Sequence, residues 1–373
     1  MDYIRLESGD FSVGKALTSA VYDGQGKLLL CKGYIIKSTA QMTSLLERGM
    51  YRANNDTPKQ KQAPLAPTKE SPFMVMKGIT YQLPIIFKAL IEAKPDAHVK
   101  LKTLTSKIQV LCETDSDAML AAIHLCHDCD YTVYHPLHQA ILCEVIGAGM
   151  GLPVEERSSI LLAALTSNIA IIELQEELHS QESPLTVEQE KLIKHHPQHG
   201  HAILKAAGIK DEVWLEAVLQ HHENAHGDGY PQAMAGDKIT KAAAFLAVTD
   251  RYTAMVSSRK YRKPLSAKQA LQEFFMQRNG GFHEELAVRC IKEMGIYPPG
   301  SFVRLESGET AVVTRRNKDE GIWPIVSSFV SPRGGLYVNP FKRDCATNEG
   351  TIKESCVYDE YDKLNLNIFW EYC

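Results

Sequence analysis

Apolar residues keep helical spacing along this chain from about Phe73 to Met294. Ile141, Val145 and Ala148 fall on one helix face, Ile160 to Leu165 is an almost unbroken apolar run, and Ala242 to Met255 places apolar side chains around nearly the whole circumference of a helix. Ahead of this stretch the pattern is mixed. Lys27–Cys31 reads as a short strand after a glycine turn, and residues 39–48 read as a helix. Ala53 to Pro72 sets Pro58, Pro64, Pro67 and Pro72 among Asn, Lys, Gln and Ser, a composition that buries too little apolar surface to order itself. Beyond Gly295-Ile-Tyr-Pro-Pro-Gly300 the runs become short and strand-like, Phe302–Leu305 and Thr310–Val313, broken by Ser-Gly and Gly-Gly turns. The expected fold class is mainly α. A helical domain over 73–297 is flanked by a small α/β unit over 1–52, a linker over 53–72 and a small β-rich unit over 298–373.

Composition narrows the function classes. The chain has 373 residues, 44% of them apolar and 23% charged, which is ordinary for a globular protein. A net charge of -4 lacks the basic surplus that gripping many phosphates requires, so DNA is not an expected partner. The N-terminus has no basic segment leading into an apolar one, and no stretch reaches eighteen uncharged apolar residues. A cytoplasmic protein without a membrane span is expected. Nine cysteines scattered from Cys31 to Cys373 suit reduced thiols. Cys126-His-Asp-Cys129, beside His124, has half the spacing of a zinc site. No second pair follows at finger spacing, so ordinary thiols are the better reading.

The candidate chemistry is concentrated in histidine. Of fourteen histidines, seven lie between His195 and His226. The string His221-His-Glu-Asn-Ala-His-Gly-Asp-Gly-Tyr-Pro231 runs adjacent imidazoles into a glycine loop, which joins metal-ligand chemistry to a backbone able to lie close against a neighbour. Any one histidine is most simply a surface or core residue bonded to a carbonyl; the set argues for more. Asp250 lies inside the nearly all-apolar helix, where an unpaired carboxylate would cost several kcal/mol, so a metal or an arginine from elsewhere is expected beside it.

With these residues in view, the chain resembles the HD-GYP domains. The resemblance is carried by His135, Ala163-Ala-Leu-Thr-Ser-Asn-Ile-Ala, His196-Pro-Gln-His-Gly200, His221 to Pro231, Ala247-Val-Thr-Asp250 and Ser258-Arg-Lys-Tyr-Arg262, in the order and spacing of that family. It covers about Asp130 to Pro299 and implies a helical HD-type, metal-dependent phosphodiesterase domain that hydrolyses cyclic di-GMP, with iron or manganese as the divalent metal. It further implies His135, His196, His221, His222 and Asp250 as ligands, and Arg259, Arg262, Gly229, Tyr230 and Pro231 as nucleotide-facing residues. The namesake His-Asp pair, however, falls on Ser167 and Asn168, so an amide stands where the family's carboxylate bridges two metals. Ile171 replaces a phosphate-contacting lysine, Tyr131 an occasional carboxylate and His226 the loop aspartate. No intact catalytic pair is therefore expected. The favoured reading is an impaired HD-GYP protein that senses cyclic di-GMP or a related nucleotide, or docks signalling proteins. The alternatives are a working phosphodiesterase with a reduced metal site, and a scaffold that binds neither.

Overall fold

Four short strands open the chain: β1 (Tyr3–Arg5), β2 (Val21–Tyr22), β3 (Leu28–Leu30) and β4 (Tyr51–Ala53). They form an antiparallel sheet in the order β1-β4-β2-β3. The computed structural model describes residues 3–6, 13–15, 17, 20–24, 28–30, 33–38, 41–43, 51–53, 70–257, 264–276, 281–317, 323–358 and 360–372. Most of the helix expected over 39–48 and most of the expected linker lie outside these residues. So do Arg259 and Arg262.

The helical part follows in chain order. It comprises α1 (Pro72–Ile91), α2 (Ala97–Thr114), α3 (Ser116–Leu125), α4 (Tyr131–Gly149), α5 (Val154–Thr166), α6 (Ile172–Ser180), α7 (Val187–Ala206), α8 (Glu212–Gln220), α9 (Lys241–Val256), α10 (Ala267–Met276) and α11 (Gly281–Met294). Its centre is α4. Every residue from Tyr131 to Gly147 is buried, because helices pack around it on all sides, among them α2, α3, α5, α9 and α11. The single apolar face read from Ile141, Val145 and Ala148 therefore understates α4, and Ala148 itself is exposed where the helix leaves the core. Most polar side chains trapped on such a helix pair within the protein. Gln139 donates to the Leu246 carbonyl at 3.1 Å, Thr132 to Glu176 at 2.9 Å, and Glu144 accepts from Arg157 at 2.9 Å.

Two helical stretches are long and apolar enough to cross a membrane by length and composition, Pro72–Ile91 and Val154–Ser180, which qualifies the expectation drawn from uncharged runs alone. In the fold α1 contributes Met76, Ile79, Leu83, Ile86, Phe87 and Leu90 to the helical core, and α5 is buried from Ile160 to Thr166.

The C-terminal strands β5 (Phe302–Leu305), β6 (Thr310–Arg315), β7 (Ile325–Val330), β8 (Leu336–Asp344) and β9 (Ile352–Cys356) form an antiparallel sheet in the order β8-β7-β6-β5-β9, followed by α12 (Leu366–Trp370). The sheet shares a core with α3: Ala118, Ala121 and Leu125 pack with Phe302, Val312, Phe329, Phe369 and Trp370. At the edge of this seam Arg315 holds Asp115 through two bonds of 2.9 and 2.8 Å, and Arg316 binds Asp117. The β unit is thus fastened to the helix that leads, through residues 126–130, into α4.

Candidate metal centre

Three capped helices position His196, His221 and Asp250. Thr186 and Gln189 form a capping box that starts α7, Asp211 accepts from Trp214 N at the start of α8, and Thr240 accepts from Ala243 N at the start of α9. Proline shapes the rest. Pro197, inside α7, has no N–H for the carbonyl four residues back, so Ile193 O is free to accept a hydrogen bond from the Nδ1 of His196, at 2.6 Å. His221 ends α8, and its Nδ1 bonds to an end-of-helix carbonyl, Val218 O, at 2.7 Å.

A carbonyl only accepts, so both Nδ1 atoms carry the proton and both Nε2 atoms present bare lone pairs. These two Nε2 atoms face each other at 3.1 Å. Burial first, then mutual repulsion with His222, pushes His196 down to about 3 and His221 well below the usual imidazole value. Burial lowers His222 too, although Asp250 opposes it. Two neutral acceptors this close have no proton to share, and a cation is what such a pair fits. The ligand nitrogens of His196, His221 and His222 all lie within 4.8 Å of one another. Fixed tautomers anchored by backbone carbonyls are the supporting contacts that metal-binding imidazoles need.

His135 and Asp250 meet beside this trio. His135 Nε2 donates to Asp250 Oδ1 at 2.9 Å, and its Nδ1 is buried with no partner. Burial alone would raise the Asp250 carboxyl. The His135 hydrogen bond and the surrounding imidazoles outweigh it and hold the group below the usual carboxylate value. Of the two partners expected for Asp250, the arginine is not the side chain that meets it; His135 is. His135, His196, His222, Tyr230, Asp250 and Asn168 line one cavity of about 190 Å3, and His221 closes on it through His196. A larger cavity of about 270 Å3, between α1, residues 125–129 and residues 361–367, gathers no comparable ligand set. Among the described residues Cys126 and Cys129 join no metal-ligand group, and the described cysteines are free.

Ser167 and Asn168 behave differently from each other. The Ser167 hydroxyl is fully buried and turned toward Ala164 O, at 3.3 Å, and Gln139 Oε1, at 3.4 Å. Asn168 stands in the cavity wall, beside Ile171. The glycine loop is built against the histidines. A Cβ on Gly229 would come within 2.5 Å of His222 O and 2.7 Å of the Glu223 Cα, so only glycine fits there. Tyr230 stacks on His222 with ring centres 4.6 Å apart, Pro231 follows half-buried, and His226 is exposed. Glu223, a residue sequence reasoning passed over, is buried and clamps the loop by accepting from Gln232 N at 2.6 Å and Met234 N at 2.8 Å. Nothing local marks it beyond an acid directly after paired histidines. His179 was also missed. It completes a stack in which Tyr131 lies between His135 and His179, at 4.8 and 5.1 Å, and no spacing in the sequence marks it.

A family profile described as HD domain matches residues 88–283, just over half of the chain. Cyclic di-GMP phosphodiesterase PA4108 of Pseudomonas aeruginosa is 30% identical over 217 residues, covering 58% of this chain and 52% of that protein. 3'3'-cGAMP-specific phosphodiesterase 1 of Vibrio cholerae is 26% identical over 159 residues, covering 43% of this chain and 37% of that protein. These matches therefore span about half, or less, of the relatives' length. Bd1817, a HDG"Y"P protein from Bdellovibrio bacteriovorus, shares the fold with a TM-score of 0.52 at 12% identity, covering 78% of this chain and 99% of that one. On the profile match and the histidine architecture together, the chain belongs to the HD domain family, in its HD-GYP branch.

Proposed function

We propose that this chain is a cyclic di-GMP signalling protein with impaired hydrolysis, which acts by binding the nucleotide or a related cyclic dinucleotide and docking signalling partners. The observation that carries the reading is Asn168. A neutral amide stands in the cavity wall at the position of the family's bridging carboxylate, while Ser167, at the histidine position, turns its hydroxyl to Ala164 O and Gln139. An amide oxygen holds divalent ions weakly compared with a carboxylate, so a two-ion centre at this position would be without a bridging anion. The names of the relatives support cyclic dinucleotides as the ligand class.

The retained residues fit one divalent ion. His196, His221 and His222 would hold it, Tyr230 supports His222 from its open face, and the Gly229 seat fixes the backbone of His222. Once bound, such an ion polarises a phosphoryl oxygen and acidifies a bound water. A second reading, slow hydrolysis at a reduced metal site, is favoured by the same bare nitrogens. Calorimetry with cyclic di-GMP, run beside chromatography of the products after incubation with Mn2+ or Fe2+, separates the two. Binding without product is expected. Turnover that disappears in His222→Ala overturns the impaired reading.

A further inference from the structure

The five ligand-type residues do not form one continuous set. His196, His221 and His222 converge with two tautomers already fixed, whereas His135 and Asp250 satisfy each other at 2.9 Å. We propose that His196, His221 and His222 form a single-ion site selective for Zn2+ over Fe2+ and Mn2+, and that His135 and Asp250 have closed on each other and left the ligand set. The inference rests on the metal-binding part of the reading above and is independent of whether a nucleotide binds.

Selectivity follows from donor type. Mn2+ is suited by carboxylate, carbonyl and water oxygens, whereas imidazole nitrogen suits Zn2+, Cu2+, Ni2+ and Fe2+, so donor type separates Zn2+ from Mn2+ and the divalent affinity series separates it from Fe2+. At Asn168 the chain has lost its bridging oxygen anion, and the remaining acid, Asp250, spends an oxygen on His135 Nε2. What converges is three neutral nitrogens. Manganese stands at the weak end of the divalent series for any such site, with iron next, and removing hard oxygen donors widens the gap. Three imidazoles with one open position is also an arrangement zinc adopts in proteins. The second ion loses more than its bridge. A His135 ring that donates its Nε2 proton to Asp250 has no lone pair at that nitrogen, and its Nδ1 is buried without a hydrogen-bond partner.

The experiment is metal analysis by mass spectrometry of stripped and reloaded protein, with chelator competition for affinity. One Zn2+ per chain is expected, bound more tightly than either Fe2+ or Mn2+. His222→Ala should lose it and His135→Gln should keep it, with thermal melts verifying that each variant is folded. Ser167→His combined with Asn168→Asp should raise the ion content from one toward two and recover Mn2+ uptake. Two ions in the unaltered chain, Mn2+ retained against Zn2+, or zinc lost from folded His135→Gln would each overturn the proposal. So would a restored pair that takes up no second ion. Nucleotide binding is read separately by calorimetry, so failure of the cyclic di-GMP reading leaves a distinct signature.

Discussion

At the scale of the residue, a proline decides which nitrogen of a histidine is available. Pro197 withholds the N–H that would occupy Ile193 O, and His196 Nδ1 takes the vacated acceptor. Pro197→Ala restores a backbone donor in competition with the imidazole. We expect the fold to gain stability, since an interior helix proline costs about 3 kcal/mol. Metal affinity should fall about tenfold or more, as it does when a ligand's supporting contact is lost. A melting curve and a chelator titration check the two opposite directions, and a variant that melts higher with unchanged affinity would refute the link. The His-Pro dipeptide was legible in the sequence. Its meaning was not, because the acceptor of Nδ1 is settled only once the helix runs through the proline.

At the scale of the element, the loop after α8 is a template for His222. Gly229 lies against the backbone of residues 222–224 so closely that a single methyl would collide with a carbonyl oxygen, a Cα and an amide nitrogen. Gly229→Ala should therefore destabilise the protein by about 1–3 kcal/mol, the usual range for overpacking, and loosen metal binding with it. Denaturant titration with and without Zn2+ reads both effects; an unshifted midpoint would show that the loop accommodates the methyl. The glycine spacing signalled a tight loop in the sequence. That the loop serves the preceding histidine, and that Glu223 ties it shut, follows from contacts across up to eleven residues that no local pattern encodes. The central helix makes the same point from the other side, since its apolar spacing suggested one buried face while its neighbours bury it entirely.

At the scale of the whole molecule, the helical part and the β unit meet over His124. Its Nδ1 donates to Pro299 O at 2.8 Å, and its Nε2 accepts from the Tyr252 hydroxyl at 2.9 Å. Burial drives this imidazole down to about 4, although the Pro299 bond opposes the shift. The unfolded chain takes up a proton near pH 6.5 that the folded chain refuses until about pH 4, so the stability associated with His124 is complete above 6.5 and is lost as pH falls through that window. Melting temperatures from pH 7 to 4 should decline, and His124→Gln should flatten the decline; parallel curves would remove His124 as a cause. Helical periodicity, the change to short strands near residue 300 and the histidine motifs were all determined by the sequence, because helix spacing, turn residues and ligand identity are local properties of the chain. Only the tertiary structure decided that α3 and the β sheet share a core, that Ser167 turns away from the cavity, and that His135 takes Asp250 as its partner. Those outcomes depend on which groups remain unsatisfied after distant segments have packed, a competition settled by the whole fold at once.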